Sequence, residues 1–260
     1  MTARSLNQMW SLPGDILSRL EHGKRIEARP LALVDEAVAL RRCALYRDGF
    51  KGTAVGYPAR LLQFDAVAAW IRRHGVTVDV TSAHELDRAI AAGIDPAHIV
   101  MHSGDAAAIR KGVSSGLPRF VVGSSLQIAI LADSVKRVQR VVVDATDHAG
   151  ATLASEVLTY PQLELIGLHC NVVDSDDAIG AIQLRQIIAE MAWMRHEKGV
   201  LLTRISLAGL DVGEPYVEPR ILRRVGAAIG EVVGDACAAY RYPRPALTVS
   251  PSPITLLPAA

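Results

Sequence analysis

The sequence predicts an α/β protein built as one (β/α)8 barrel, and three observations lead there. Short runs rich in β-branched residues alternate with longer stretches of helical period, eight strand runs can be counted, and 260 residues, half of them apolar, suffice for one large core. Eight strands in βα alternation argue for a closed parallel barrel over a doubly wound sheet.

The strand candidates are 52–58, 77–82, 98–103, 119–124, 140–145, 164–170, 204–208 and 246–250. Helical patterns fill 61–74, 83–93, 105–115, 125–137, 152–160, 175–198 and 217–240. Within 61–74, Leu61, Phe64, Val67, Ala68 and Ile71 form one apolar stripe, and Arg72 and Arg73 occupy the last turn, where cations suit the helix dipole. Gly93 with Pro96 and Gly116 with Pro118 mark helix stops followed by restarts. A further pattern, 35–49, precedes the first strand, and nothing helical is expected after the eighth. This early helix, or 6–22 before it, is therefore expected to close the outer ring. The expected organisation is a helical extension over 1–29, the barrel over 30–250 and a tail over 251–260.

Composition excludes several function classes. Lys plus Arg is 28 against 27 for Asp plus Glu, so no basic excess points to nucleic acid. Cys43, Cys170 and Cys237 have no CxxC spacing and are odd in number, which fits a reducing compartment better than a disulfide scaffold. No signal-peptide pattern and no long apolar run are present, so a cytoplasmic protein without a membrane segment is expected.

The stretch Val55-Gly56-Tyr57-Pro58-Ala59-Arg60, then Val78-Asp79-Val80-Thr81-Ser82-Ala83-His84-Glu85-Leu86, carries a resemblance. It is similar to the barrel domain of the pyridoxal-phosphate (PLP) dependent ornithine, diaminopimelate and arginine decarboxylases, with an alanine-racemase-like (fold type III) TIM barrel, most closely diaminopimelate decarboxylase. The resemblance spans roughly 30–257, is dense over 55–86 and thins beyond residue 140. It places the short strand that opens the family barrel at 31–34. The family strand reads V-x-Y-A-x-K, and its lysine forms the imine with PLP. Here that position is Arg60, whose guanidinium stays protonated and cannot form an imine.

The other strand ends depart too. Where the family has H-G-N-x-K after the third strand, this chain has Met101-His102-Ser103-Gly104-Asp105, keeping only the histidine, and the family arginine at the fifth strand becomes Asp144. G-L-H-x-H-I-G-S matches Gly167 to Asp174, keeping His169 but placing Asn171 where a histidine stacks on the pyridine ring. The glycine triplet that cradles the cofactor phosphate becomes Gly209-Leu210-Asp211, and E-P-G-R becomes Ser250-Pro251-Ser252-Pro253, with Ser250 in place of the glutamate facing the pyridine nitrogen. The family β domain, which supplies a Cys and a Tyr across a dimer, is expected to be absent. The resemblance thus implies a degenerate site: no cofactor is expected, or PLP if the family function persists.

The candidate ligand-binding residues are Arg60, Asp79, His102, Asp144, His169, Asn171 and Ser250. Each has a structural alternative. Arg60 is expected to pair with Asp79 or Glu85 rather than bind an anion. His102 and His169 are expected to be satisfied core histidines. Asp79, Ser82 and Glu85 read as helix capping. His102, Asp105, Asp144, Asp147, His148, His169 and Asp174 match no metal motif, so no metal is expected. Cys170 and His169 are adjacent on a strand and so face opposite ways. Trp10, Trp70 and Trp193 are expected to pack.

The reading is a non-catalytic binding or partner protein. It would take a small anionic or amino-acid ligand and associate with itself or with a family member, through a surface that includes the apolar run Ile254-Thr255-Leu256-Leu257. No nucleic-acid or membrane partner is expected. Three other readings stay open: an active decarboxylase or racemase of the same family, a stand-alone PLP carrier, and a PLP-independent enzyme using His169, Asp144 and Arg60.

Overall fold

The computed structural model describes residues 36–147, 150–172, 177–210 and 218–256. Eight strands close a parallel barrel in simple sequence order: β1 Ala54–Pro58, β2 Thr77–Val80, β3 Ile99–His102, β4 Arg119–Val122, β5 Gln139–Asp144, β6 Leu163–Asn171, β7 Arg204–Leu210 and β8 Ala246–Pro251. The ring closes where Ala54 and Val55 pair with Thr248 and Val249. Each expected strand is present with its ends moved by two residues or fewer. Such runs are legible because parallel strands buried on both faces read as near-continuous apolar segments.

The outer helices are α1 Glu36–Gly49, α2 Asp65–His74, α3 Ala83–Ala91, α4 Ala106–Ser114, α5 Ser125–Ser134, α6 Gly150–Val157, α7 Asp177–Lys198 and α8 Pro219–Ala239. α1 packs against both α8 and α2, so the early helix closes the ring as expected. The alternatives at 6–22, the strand at 31–34 and the extension over 1–29 lie outside the described residues. Most of the core fills the space between strands and helices. Tyr57, for example, is fully buried and donates its hydroxyl to the Cys43 carbonyl at 2.8 Å. A smaller group, Val100, Val121, Val142 and Ile166, packs inside the barrel. No helix among the described residues is long and apolar enough to cross a membrane.

Three expectations need correction. The helix over 61–74 is broken: a 3-10 turn, Ala59–Gln63, comes first, and Phe64 is extended (φ −103°, ψ 118°) before α2 starts. The break is anchored by a tertiary contact, the Ala66 N–H donating to the Glu36 carboxylate at 2.7 Å, which a local apolar period cannot reveal. Trp70 packs edge-on against Tyr57, but Trp193 is 43% exposed with the Lys198 ammonium over its ring. Trp10 lies outside the described residues.

The third correction concerns the tail. A short helical turn, α9 Pro253–Leu256, follows β8, with proline in the first position where its missing N–H costs nothing. Thr255 and Leu256 are fully buried, and the Arg42 guanidinium on α1 donates to the Thr255 carbonyl. The run therefore folds back at the carboxyl end of the barrel, and the exposed apolar surface expected to drive association has no basis in these two residues. Leu256→Ala is expected to cost about 2 kcal/mol in urea unfolding, as for any well-packed leucine. A cost near zero would show that the turn does not dock.

Candidate functional site

The inward positions of neighbouring strands build a polar cluster at the carboxyl end of the barrel. Side chains alternate across a strand, so residues two apart share the lumen. Asp79 comes from β2, His102 from β3, His169 from β6, Ser206 from β7 and Ser250 from β8. Ser250 donates its hydroxyl to Asp79 Oδ2 at 2.6 Å, and His102 Nε2 lies 3.1 Å from Asp79 Oδ1. For that bond His102 must carry its proton on Nε2. His169 Nδ1 lies 3.1 Å from the Ser206 hydroxyl, and the two imidazoles meet edge to face with centroids 5.1 Å apart. Gly56 on β1 makes room: a Cβ there would lie 2.5 Å from Asp79 Oδ2 and 2.7 Å from Ser250 Oγ.

The electrostatics follow from this packing. Burial pushes the Asp79 carboxyl up, but the His102 ring, its hydrogen bond, the Ser250 hydroxyl and the more distant His169 outweigh it, and Asp79 is held below its ordinary value. Burial first, then the neighbouring His102, pulls His169 down to about 4 against the opposing pull of Asp144 and Asp79. His169 is therefore neutral at pH 7. The connectivity runs Ser250–Asp79–His102, with the carboxylate in the middle. The Ser250 hydroxyl donates to the carboxylate and not to an imidazole that could take its proton, so this is not a nucleophilic triad. Cys170 faces away from His169 into the outer core, and burial, with a smaller push from Asp144, raises its thiol to about 11.

The cluster unites four of the seven candidates: Asp79, His102, His169 and Ser250. Of the other three, Asp144 lies beside His169, whose charge it favours, but hydrogen-bonds elsewhere, and Arg60 and Asn171 make no hydrogen bond to the cluster among the described residues. Arg60 is exposed in the 3-10 turn, between the buried Ala59 and Leu61. Its expected pairing with Asp79 or Glu85 does not form, because Asp79 is held by Ser250 and His102 while Glu85 accepts from the Thr81 N–H and hydroxyl, both at 2.8 Å. Asp144 accepts from the Thr146 N–H and hydroxyl, at 3.0 and 2.6 Å, and so fixes its own turn. Asn171 is exposed, its N–H donating to the Thr146 hydroxyl at 2.9 Å.

The capping expectation holds for two residues and fails for the third. Ser82 accepts from the Glu85 N–H at 3.2 Å as the N-cap of α3, but Asp79 takes no part and belongs to the lumen. Asp105 is likewise a cap, accepting from the Ala108 N–H. Among the described residues no three metal-ligating side chains come together; His148 and Asp174 lie outside them. The sequence reading missed Ser206, Thr146 and Gly56. For Ser206 the signal was available, since Arg204, Ser206 and Ala208 alternate inward along β7.

Comparison with known proteins agrees with this architecture. Residues 37–159 match the family model described as pyridoxal-dependent decarboxylase, pyridoxal binding domain. The diaminopimelate decarboxylase of Corynebacterium efficiens is 28% identical over 258 residues, covering 85% of this chain and 56% of its own. That of Mycobacterium tuberculosis is 25% identical over 266 residues, covering 85% and 58%. The chain thus spans a little over half the length of these curated relatives. Among solved structures, diaminopimelate decarboxylase from M. jannaschii in complex with L-lysine superposes with a TM-score of 0.72 at 15% identity, over 86% of this chain and 60% of that one. Lysine decarboxylase from Selenomonas ruminantium gives 0.70 at 17% identity, over 93% and 65%.

Proposed function

We propose that this chain, a relative of the pyridoxal-dependent decarboxylases through their pyridoxal-binding barrel, is a non-catalytic binding protein that keeps the scaffold without the Schiff-base chemistry. One observation carries the reading. Where the family lysine is expected, an exposed arginine stands in the 3-10 turn after β1, with no hydrogen bond or ion pair to the lumen cluster among the described residues, and the lumen carboxylate Asp79 has both oxygens engaged by Ser250 and His102.

The residues present do not fit an imine-linked PLP. An imine needs an amine at the carboxyl end of the barrel. Lys51 and Lys136 lie in the segments entering β1 and β5, and Lys198 ends the helix before β7, all toward the amino end. Lys111 sits on the outer helix α4, ion-paired with Asp87. Lys24, the fifth lysine of the chain, lies outside the described residues. At the phosphate-cradle position β7 carries a register shift between Ala208 and Leu210. Only Gly209 there has positive φ, at 74°, and the Leu210 side chain stands where a glycine is expected.

Asp79 and Asp144 are both hydrogen-bonded within the protein, but their charges beside the neutral His169 make the field at the barrel mouth negative, which suits a protonated amine. An amino acid is therefore favoured over a simple anion, whose binding rested on Arg60 reaching the lumen. A PLP-independent enzyme using His169, Asp144 and Arg60 gains no support, since Asp144 holds Thr146 and Arg60 is exposed.

Titration with PLP is expected to give only the spectrum of the free aldehyde. A borohydride-stable adduct mapped to any lysine would overturn the reading. Arg60→Lys alone is expected to release no carbon dioxide from diaminopimelate, ornithine or arginine, because electron withdrawal also needs a pyridine-nitrogen partner and a fixed phosphate. Measurable release by that single variant counts against the proposal.

A further inference from the structure

The amino end of the barrel, opposite the cluster just described, holds two arginines that nothing so far explains. Arg119 opens β4 and Arg204 opens β7. Alternation puts both inside the lumen, since their neighbours Phe120 and Ile205 fill the outer core while Val121 and Ser206 point inward with them. The two line one cavity of about 30 Å3, together with Thr77, Thr248 and the valines Val121 and Val142. That volume holds about one water-sized group. Both arginines are half-buried, and among the described residues neither guanidinium has a hydrogen bond or an ion pair. Arg140, also at this end, is already committed to Glu164 at 3.4 Å.

Two like charges sharing a small, partly desolvated cavity repel each other and forgo their hydration. Asp79 closes the far end of the same cavity but does not neutralise them, its oxygens being taken by Ser250 and His102. Burial, and then the Arg204 charge, lower the pKa of Arg119 against the weaker support of Asp79. Guanidinium forks are strong multidentate donors to anions, and the Thr77 and Thr248 hydroxyls stand beside them with no hydrogen bond of their own among the described residues. We propose that Arg119 and Arg204, with Thr77 and Thr248, form a binding site for a small inorganic anion at the amino end of the barrel. The bound anion neutralises the pair and locks β4 and β7 across the lumen.

Thermal unfolding in graded chloride and, separately, phosphate tests this, with ionic strength held constant by a bulky sulfonate salt. A species bound only by the folded state raises the Tm with the logarithm of its concentration, by roughly 5–10 °C at a hundredfold excess over Kd. At least one of the two anions is expected to do so, and which one identifies the occupant. Arg119→Met and Arg204→Met are expected to abolish the rise, Arg204→Lys to weaken it, and Arg60→Ala, at the other end, to leave it unchanged. No saturable rise with either anion, or an undiminished rise in the Met variants, overturns the proposal, as does loss of the rise in Arg60→Ala. If neither Met variant folds, calorimetric titration of the wild-type protein decides: one site per chain is expected, weakened in Arg204→Lys, and zero stoichiometry refutes it.

Discussion

Asp79→Ala is expected to destabilise the protein by about 3 kcal/mol. The substitution removes two hydrogen bonds that end on a charged oxygen, from Ser250 at 2.6 Å and from His102 at 3.1 Å. Charge-assisted bonds of this kind are shorter and stronger than neutral ones, and most of the cost comes from what is left behind. Ser250 is 8% exposed, and the side chains of His102 and Asp79 are 16% and 15% exposed, so water replaces the lost acceptor poorly. Asp79→Asn keeps the shape and one acceptor and is expected to cost about 1 kcal/mol, with the Ser250 hydroxyl still satisfied. Urea unfolding of both variants separates a buried keystone from a mere surface acid. Equal and small losses in the two would mean that the Ser250–Asp79–His102 chain contributes little to the fold.

How much of this was legible in the sequence depends on how local each determinant is. Strand order came through because each strand is a short apolar run that needs no partner to be recognised. Ser82 and Glu85 came through as a cap because the S-x-x-E pattern is complete within four residues. Asp79, three residues before Ser82, was drawn into that pattern, although Thr77 and Asp79 together have the two-residue spacing of lumen positions. The place of Arg60 depends on a 3-10 turn whose end is fixed by Glu36 on another helix, and burial of Leu256 depends on Arg42, far back in the chain. Such contacts leave no trace in a local period. Arg119 and Arg204 went unremarked because a basic residue at the start of a strand usually points to solvent, and only barrel closure turns both inward.

Acidification from pH 7 to pH 4 is expected to remove about 3 kcal/mol of stability through His169 alone. The sign follows from its surroundings. In the folded chain His169 protonates only near pH 4, because it is 5% exposed and lies beside His102, whereas an unfolded histidine protonates near its ordinary value of 6.5. Between those values the unfolded state binds more protons, so stability is fully present above 6.5 and declines as pH falls toward 4. Between pH 7 and pH 5 the loss from this residue is about 2 kcal/mol. The groups facing it are Asp79, His102, Asp144 and Ser206. Asp79, also held low, acts in the same direction but only below its ordinary value of 3.8, so the two contributions separate along the pH axis. In His169→Phe, which keeps an aromatic ring against His102 and cannot titrate, the slope between pH 7 and pH 5 should largely vanish. The fall below pH 4 should persist in that variant and be reduced by Asp79→Asn. Denaturant unfolding at half-unit pH intervals reads both, and an unchanged slope in His169→Phe would mean that the buried imidazole is not what makes this barrel acid-sensitive.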